Sequence, residues 1–447
     1  MSEHPQERRP GSLSVLGNRN FARLFAAGAT SIAGFAIGQV ALTWMVWSNT
    51  ASAIEVAYIG VAFILAAVIF SLGAGALVDR HERRRLMVLS DLVRAGALGA
   101  LVVSVFVIGF SMAAILLVAF ILGSFTTLFQ PAERALTPVV VGNEQLANAN
   151  ALVQTSNSVL QFAANTAGAA IIAAVGVVAA FGLNSLTFIV SALLIAGISG
   201  VAATRKPAGG AGGKHPSMVE DIREGFRYIV RNRALLELTV SAGIGNFFGS
   251  MFFQFYVVYA SVKLGAGVLV YGLLLGLFSL GWAPGAYLSA RYRTVRFAGM
   301  LWIVAGVCVG LSMVGMVALP YFVPAAMFSF TAGLLLGLTN TTWLTAVQLI
   351  VPTEMQGRYF GLDQLGSFAV IPVGQVVGGV IIATAGVGTD FLVAGVGAAA
   401  ASGLFIFSPY LRNLKWEQPA PTAPEAESAG GGTIAPLEGG IRTHESR

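Results

Sequence analysis

The chain has 447 residues, 56% of them hydrophobic and only 10% charged, with a formal net charge of +6 and a mean hydropathy of +0.78. An average soluble domain carries about 25% charged residues, so this composition excludes a water-soluble globule and implies a surface that meets hydrocarbon. A single cysteine, Cys308, excludes an intrachain disulfide.

Residues 1–20 are hydrophilic and read as a cytoplasmic segment, and the apolar block behind them is too long for a cleaved signal core. Twelve apolar blocks follow, at roughly 21–47, 54–78, 86–109, 112–138, 151–177, 179–202, 234–260, 268–290, 297–318, 321–347, 359–385 and 388–411. Each is long enough to cross about 30 Å of hydrocarbon at about 1.5 Å per helical residue. They are continuously apolar, where a barrel strand would alternate, so the expected fold is an all-α polytopic membrane protein. Small residues at Gly34/Gly38, Gly272/Gly276 and Gly333/Gly337 suit close helix approach.

Taken in chain order, the spans carry few polar groups. Gln39 lies in span one, Asp91 and Arg94 in span three and Gln130 at the end of span four. Asp91 and Arg94 are three residues apart, so they are expected to pair, near a membrane surface where long side chains snorkel. Span five places Asn150, Gln154, Asn157, Gln161 and Asn165 at steps of four, three, four and four, hence on one helical face. An amide facing lipid costs several kcal/mol, so that face is expected to look into protein or a wet cavity. Residues 204–233 form a Gly- and Pro-rich linker ending in an amphipathic helix with Met218, Ile222, Phe226, Ile229 and Val230 on its apolar side. The run Gly209 to Lys214 lacks the leading glycine, trailing hydroxyl residue and preceding strand of a phosphate-binding loop.

Asn246 and Gln254 follow in span seven among Phe247, Phe248, Phe252, Phe253 and Tyr256, and Asn340 lies in span ten. Asp363, in span eleven, is the candidate carboxylate for coupling transport to an ion gradient. The candidate substrate cavity is therefore Gln39, Gln130, Gln154, Asn157, Gln161, Asn165, Asn246, Gln254 and Asn340. No metal, nucleophile or cofactor motif lies in the spans, so no cofactor and no enzymatic chemistry are expected. Residues 412–447 are rich in Pro, Ala, Glu and Gly and read as a disordered tail.

With the N-terminus inside, all but one of the 26 Lys and Arg residues fall on the cytoplasmic side, Lys263 being the exception. The basic charge is thus a topological signal and a contact for anionic lipid, not a nucleic-acid surface, and both termini are expected in the cytoplasm of a cell with this chain in its inner membrane. Sliding the sequence against itself by 210 residues matches Gly168–Val177 with Gly378–Val387, and pairs Gly75 with Gly285, Arg83 with Arg293 and Gln130 with Asn340. Residues 21–203 and 234–411 therefore read as two copies of a six-helix unit, related as a parallel repeat.

The segment Gly75-Ala-Leu-Val-Asp79-Arg80-His-Glu82-Arg83 resembles the signature loop of the major facilitator superfamily, with Glu82 where the family has glycine. The resemblance implies a cytoplasmic latch in which Gly75 permits close packing, Asp79 caps a neighbouring helix and Arg80 and Arg83 bridge adjacent helices. Asn20-Phe-Ala-Arg-Leu24, Pro131-Ala-Glu-Arg-Ala135, Leu146-Ala-Asn-Ala-Asn-Ala-Leu152, Leu183-Asn-Ser-Leu-Thr-Phe188 and Pro352-Thr-Glu-Met-Gln-Gly-Arg358 are similar to the bacterial exporters that include enterobactin and macrolide efflux carriers. Phe35 departs from the acid that relatives place there. What the resemblance implies is a secondary carrier exporting an amphipathic small molecule by alternating access, with proton antiport. A lipid-like flippase or uptake carrier, and a non-transporting receptor or scaffold, are the alternatives; substrate and oligomeric state stay open.

Overall fold

In the computed structural model, the residues described are 12–142, 145–199, 218–291, 294–295, 298–412 and 416–417. Twelve helical stretches are long and apolar enough to cross a membrane. The first half contains α1 (Arg19–Thr50), α2 (Ala53–Arg80), α3 (Arg83–Ile108), α4 (Met112–Val141), α5 (Leu146–Val175) and α6 (Val177–Ala196). After α7 (Met218–Arg231), the second half contains α8 (Arg233–Phe253), α9 (Tyr256–Val258), α10 (Val268–Arg291), α11 (Ala298–Ala318), α12 (Phe322–Ile350), α13 (Thr353–Phe368), α14 (Ile371–Ala385) and α15 (Val387–Leu404).

Short polar side chains start several of these helices by satisfying backbone donors that have no partner in the first turn. Asn18, Ser52, Ser111 and Asn232 each accept a hydrogen bond from a backbone N–H two or three residues on. Ala51, in the left-handed region at φ 51°, closes α1 with its N–H bonded to the Trp47 carbonyl, so that α2 can turn back at once.

Two spans expected as single helices are interrupted. Span seven leaves α geometry at Gln254 and Phe255, resumes as α9 and ends in a π-helical turn over Tyr259–Lys263. Span eleven breaks between α13 and α14 at Ala369 and Val370. The start of the tail also departs from the expected disorder, because Trp416–Glu417 pairs antiparallel with Thr294–Val295 between spans eight and nine.

Within the first half α3 packs on α4 and α6, α2 on α4, and α1 on α5 and α6; within the second, α10 and α11 pack on α12, and α8 packs on α13, α14 and α15. The duplicated sequence is visible in the backbone. Gly176 and Gly386, 210 residues apart, both take positive φ (90° and 84°) and both hand one span over to the next. Gly123 and Gly333, at the same offset, let a neighbouring backbone carbonyl approach, that of Phe63 in one half and Phe278 in the other.

The two halves meet along α5–α10 and α2–α14. We call the end that carries Arg19, Arg83, Arg84 and Arg85 the basic end and the opposite one the far end. The close approaches between halves lie toward the far end: Gly272 against Asn165 and Ala169, Gly276 against Phe162 and Thr166, and Gly379 against Ala53, Ile54 and Ala57. Helix α7 docks on α8 and α13, burying Ile229 and leaving Phe226 and Val230 exposed beside Arg223, Arg227 and Arg231. The preceding linker, up to residue 217, lies outside the described residues.

Candidate functional site

The amide face of span five is graded along α5. Asn150, Gln154 and Gln161 are exposed, Asn157 is half-buried and Asn165 is buried. Gln130 on α4 and Asn340 on α12, partners at the 210-residue offset, are both exposed, and Gln39 on α1 is half-buried. Exposed amides in the middle of a membrane protein need water or a ligand, because hydrocarbon offers no hydrogen bond. Asn150, Gln154, Gln130 and Asn340 lie toward the basic end of their helices and Gln161 near the middle of α5.

Three of the predicted cavity residues are engaged by interhelical hydrogen bonds. Asn165 Nδ2 donates across the halves to Ser279 Oγ at 3.5 Å. Gln254 Nε2 donates to the Val56 carbonyl of the other half at 2.8 Å, and its Oε1 accepts from Gln375 Nε2 at 3.3 Å. Gly60 on α2 leaves room for this pair: a methyl there would stand 2.4 Å from Gln375 Nε2 and 2.6 Å from Gln254 Oε1. Asn246 Nδ2 donates to the Ser367 carbonyl at 2.8 Å, which ties α8 to the end of α13.

The aromatic cluster of span seven packs in the core. Phe252, Phe255 and Tyr256 are fully buried, and Phe252 packs on Tyr256 and Phe391 at 4.9 and 4.6 Å between ring centroids. The Tyr256 hydroxyl is satisfied by Ser329 Oγ at 3.2 Å.

Asp91 and Arg94 pair as expected, but they do not snorkel. Both are essentially fully buried, and the guanidinium lies between the Phe129 and Phe188 rings at 4.7 and 4.3 Å. Two aromatic faces supply attraction to the cation that water would otherwise supply. Arg94 also donates to the Ser90 carbonyl (3.3 Å) and Thr126 Oγ1 (3.4 Å), whereas Asp91 Oδ2 has no hydrogen-bond partner. Glu133 on α4 lies within electrostatic range of this pair and of Arg134, and fills the space beside Gly28.

Asp363 is buried in the joint between α8 and α13, where Ser367 Oγ donates to its Oδ1 at 3.1 Å and Thr239 and Tyr359 share a hydrogen bond at 3.2 Å. Of the latch residues, the side chains of Gly75, Asp79 and Arg80 lie outside what the structure describes. Arg83 Nη1 donates to the Ala135 carbonyl of α4 at 2.9 Å, so its partner is a backbone group of its own half and not an acid. Glu82, in the glycine position of the signature, pairs with Arg84 and Arg85 at 3.5 and 2.6 Å.

Sequence reasoning missed Gln375, Glu133 and Asp390. Asp390 lies at the apparent start of span twelve, next to Gly386 and Gly388, where it reads as a headgroup-level residue; in the fold it is fully buried. Among the described residues no three His, Cys, Asp or Glu side chains are grouped to hold a metal ion.

Comparison with known proteins agrees with this architecture. The family model for transmembrane secretion effectors, a major facilitator family, matches residues 10–429. Macrolide efflux protein A of Streptococcus pyogenes is 25% identical over 84% of this chain and 92% of its own. The multidrug efflux pump Tap of Mycolicibacterium fortuitum is 25% identical over 88% of this chain and 96% of its own. A crystal structure of the nucleoside transporter NupG superposes with a TM-score of 0.69 at 11% identity, over 87% of this chain and 99% of that one. With twelve candidate spans among the described residues and that family model matched over residues 10–429, the protein is a transporter and not an enzyme, and the chain belongs to the transmembrane secretion effector family of the major facilitator superfamily.

Proposed function

We propose that the chain is a proton-driven exporter of amphipathic small molecules, working by alternating access between its two halves in a bacterial cell membrane with the basic end cytoplasmic. The observation that carries this reading is the graded amide face of α5. Its exposed members, Asn150, Gln154 and Gln161, together with Gln130 and Asn340, offer uncharged hydrogen-bonding groups to a solute entering from the basic side. Amide groups set in an apolar wall suit a bulky, partly apolar molecule better than a small anion, for which a buried cation would be needed. The relatives described above, a macrolide efflux protein and a multidrug efflux pump, support the same chemistry.

The test is accumulation of a macrolide and of a fluorescent dye cation in cells stripped of their own pumps. Expression should lower accumulation of at least one, and an ionophore that collapses the proton gradient should restore it. Unchanged accumulation across a broad panel would reject the exporter. Replacing Gln161 with alanine removes one neutral hydrogen bond, worth about 0.5–1.5 kcal/mol, and should change the ratio of transport rates for two substrates about two- to tenfold. An equal loss for every substrate, matched by lower protein yield, would make Gln161 a packing residue instead.

A second prediction concerns the signature loop. Asp79→Asn should slow transport while insertion into the membrane stays normal, because the side chain is proposed to hold the cytoplasmic side in one of its two states. Normal flux in that variant removes the latch role.

A further inference from the structure

Asp390 stands in the first turn of α15, fully buried, and neither carboxylate oxygen has a hydrogen-bond partner. Its surroundings are apolar. A methyl placed on Gly378 of α14 would come within 3.0 Å of Asp390 Oδ1 and 2.7 Å of the Phe255 ring, so these three groups fill one another's space. Next in sequence, Phe391 stacks on Tyr259 at 5.1 Å.

The ionisable groups on the elements packed around Asp390 give it no counter-charge. The π turn contributes Tyr259, whose hydroxyl donates to the Met316 carbonyl at 2.7 Å, and Lys263, whose Nζ lies over Gly388 and forms no ion pair with Asp390. Helix α9 contributes Tyr256, bonded to Ser329, and α11 contributes Cys308. Helix α14 and the 3-10 turn Phe405–Phe407 have no ionisable side chain, and Glu237 and Arg233 stand near the start of α8, about 21 and 27 Å along its axis from Met251 beside Gly378.

A helix N-terminus stabilises a carboxylate by about 0.3–1 kcal/mol and at most about 2. Burial of an unpaired carboxylate costs several kcal/mol. The burial cost wins, so the pocket tolerates a neutral acid and resists an ion.

The helix that closes this pocket is the broken one. Phe255, which touches the Gly378 position, lies in the gap between α8 and α9, and the π turn follows four residues later. Short π-helical insertions and interrupted membrane helices mark places where backbone geometry changes in function. Gln254, beside Phe255, is the residue bonded to Val56 of the opposite half. Parting the halves at the far end must break that bond and release the segment that covers Asp390.

We infer that Asp390 is the proton-carrying carboxylate of the transport cycle, taking up one proton from the far side when the seal opens and allowing the seal to close only over its neutral form. Uptake forms one O–H bond on the carboxylate with a proton from far-side water, and breaks none in the protein; later in the cycle that O–H bond breaks as the proton leaves to basic-side water, returning the buried ion that drives the seal open again. This inference rests on the proton-driven reading above and supplies the group that reading lacks, in place of Asp363, whose carboxylate is already engaged by Ser367.

The experiment uses full-length protein in lipid nanodiscs, with Cys308→Ser and spin labels on Asn49→Cys and Thr384→Cys, two exposed far-end positions in opposite halves. Raising the pH should lengthen the label separation in the parent protein. Asp390→Asn should keep the short separation at every pH, and Asp390→Glu should respond like the parent. A parent protein with no pH response overturns the proton-driven reading and this inference together. A normal response in Asp390→Asn overturns the Asp390 assignment alone. An infrared difference spectrum, parent minus Asp390→Asn at neutral pH, should show the carbonyl band of a protonated carboxylic acid, and its absence overturns the assignment. Should the Asn variant fail to accumulate, the same band must shift in frequency in Asp390→Glu; an unshifted band has the same overturning force.

Discussion

Replacing Arg94 with methionine should destabilise the protein by about 3–5 kcal/mol, the usual effect of leaving one partner of a buried ion pair uncompensated. The reason is specific to the site. Asp91 would keep its burial and lose its cation, and Glu133 would lose one of the two cations near it. The Phe129 and Phe188 rings would then face a methionine, which restores packing but no charge. Arg94→Lys should recover only part of the loss, since an ammonium cannot lie flat between two rings and bond Asp91, Ser90 and Thr126 together. Removing both charges with Asp91→Leu and Arg94→Met should return stability toward that of the parent, because a well-packed apolar pair is often neutral relative to a buried ion pair. Membrane yield and the thermal midpoint in detergent measure all three. A parent-like midpoint for Arg94→Met alone would mean the pair is not enclosed as described.

The second large effect is expected from Gly272→Val, and it separates packing between halves from packing within one. A Cβ at Gly272 would stand 2.3 Å from Ala169 Cβ and 2.6 Å from the Asn165 carbonyl oxygen, both on the other half. Overpacking of this kind costs about 1–3 kcal/mol, enough to shift a two-state equilibrium about 5–150-fold. The clash exists only while the far end is sealed, so the variant should insert and purify normally, lose transport and leave far-end cysteines open to labelling. Gly285→Val is the contrast. Its Cβ would meet the Leu334 carbonyl oxygen at 2.0 Å on α12, inside one half, where the clash persists in every state. That variant should lose protein, not transport alone. Equal behaviour of the two would show that the α5–α10 contact is a fixed part of the core.

The sequence makes the spans legible because hydrocarbon imposes one demand, an apolar helix of sufficient length, and a run of residues meets it or does not. The repeat is legible for a related reason: Gly176 and Gly386 hold a backbone conformation that few other residues adopt, so the match at that offset is preserved in conformation as well as in letters. The interruption at Gln254 leaves no such trace, because the helical run continues through it while the backbone does not; the one at Ala369 has a trace in Pro372, in the first turn of α14, which cannot donate to the carbonyl four residues back. The site is legible by halves. Periodicity places the five amides of α5 on one face, yet it does not distinguish Gln161, which is exposed, from Asn165, bonded to Ser279. That distinction depends on what α10 brings to each turn. Asp390 was invisible for the opposite reason, since an acid at the edge of an apolar run is ordinarily solvated, and only the packing of α14 and the Phe255 segment takes it out of water.

The close packing of small residues between the halves toward the far end bears on pharmacology. In the orientation proposed above, a blocking compound applied to intact cells meets a closed wall of interlocked small residues and has no mouth to enter. It must first permeate the bilayer and then approach from the cytosol, as the cargo does. If the transporter works in that orientation, useful antagonists would be sought among membrane-permeant molecules.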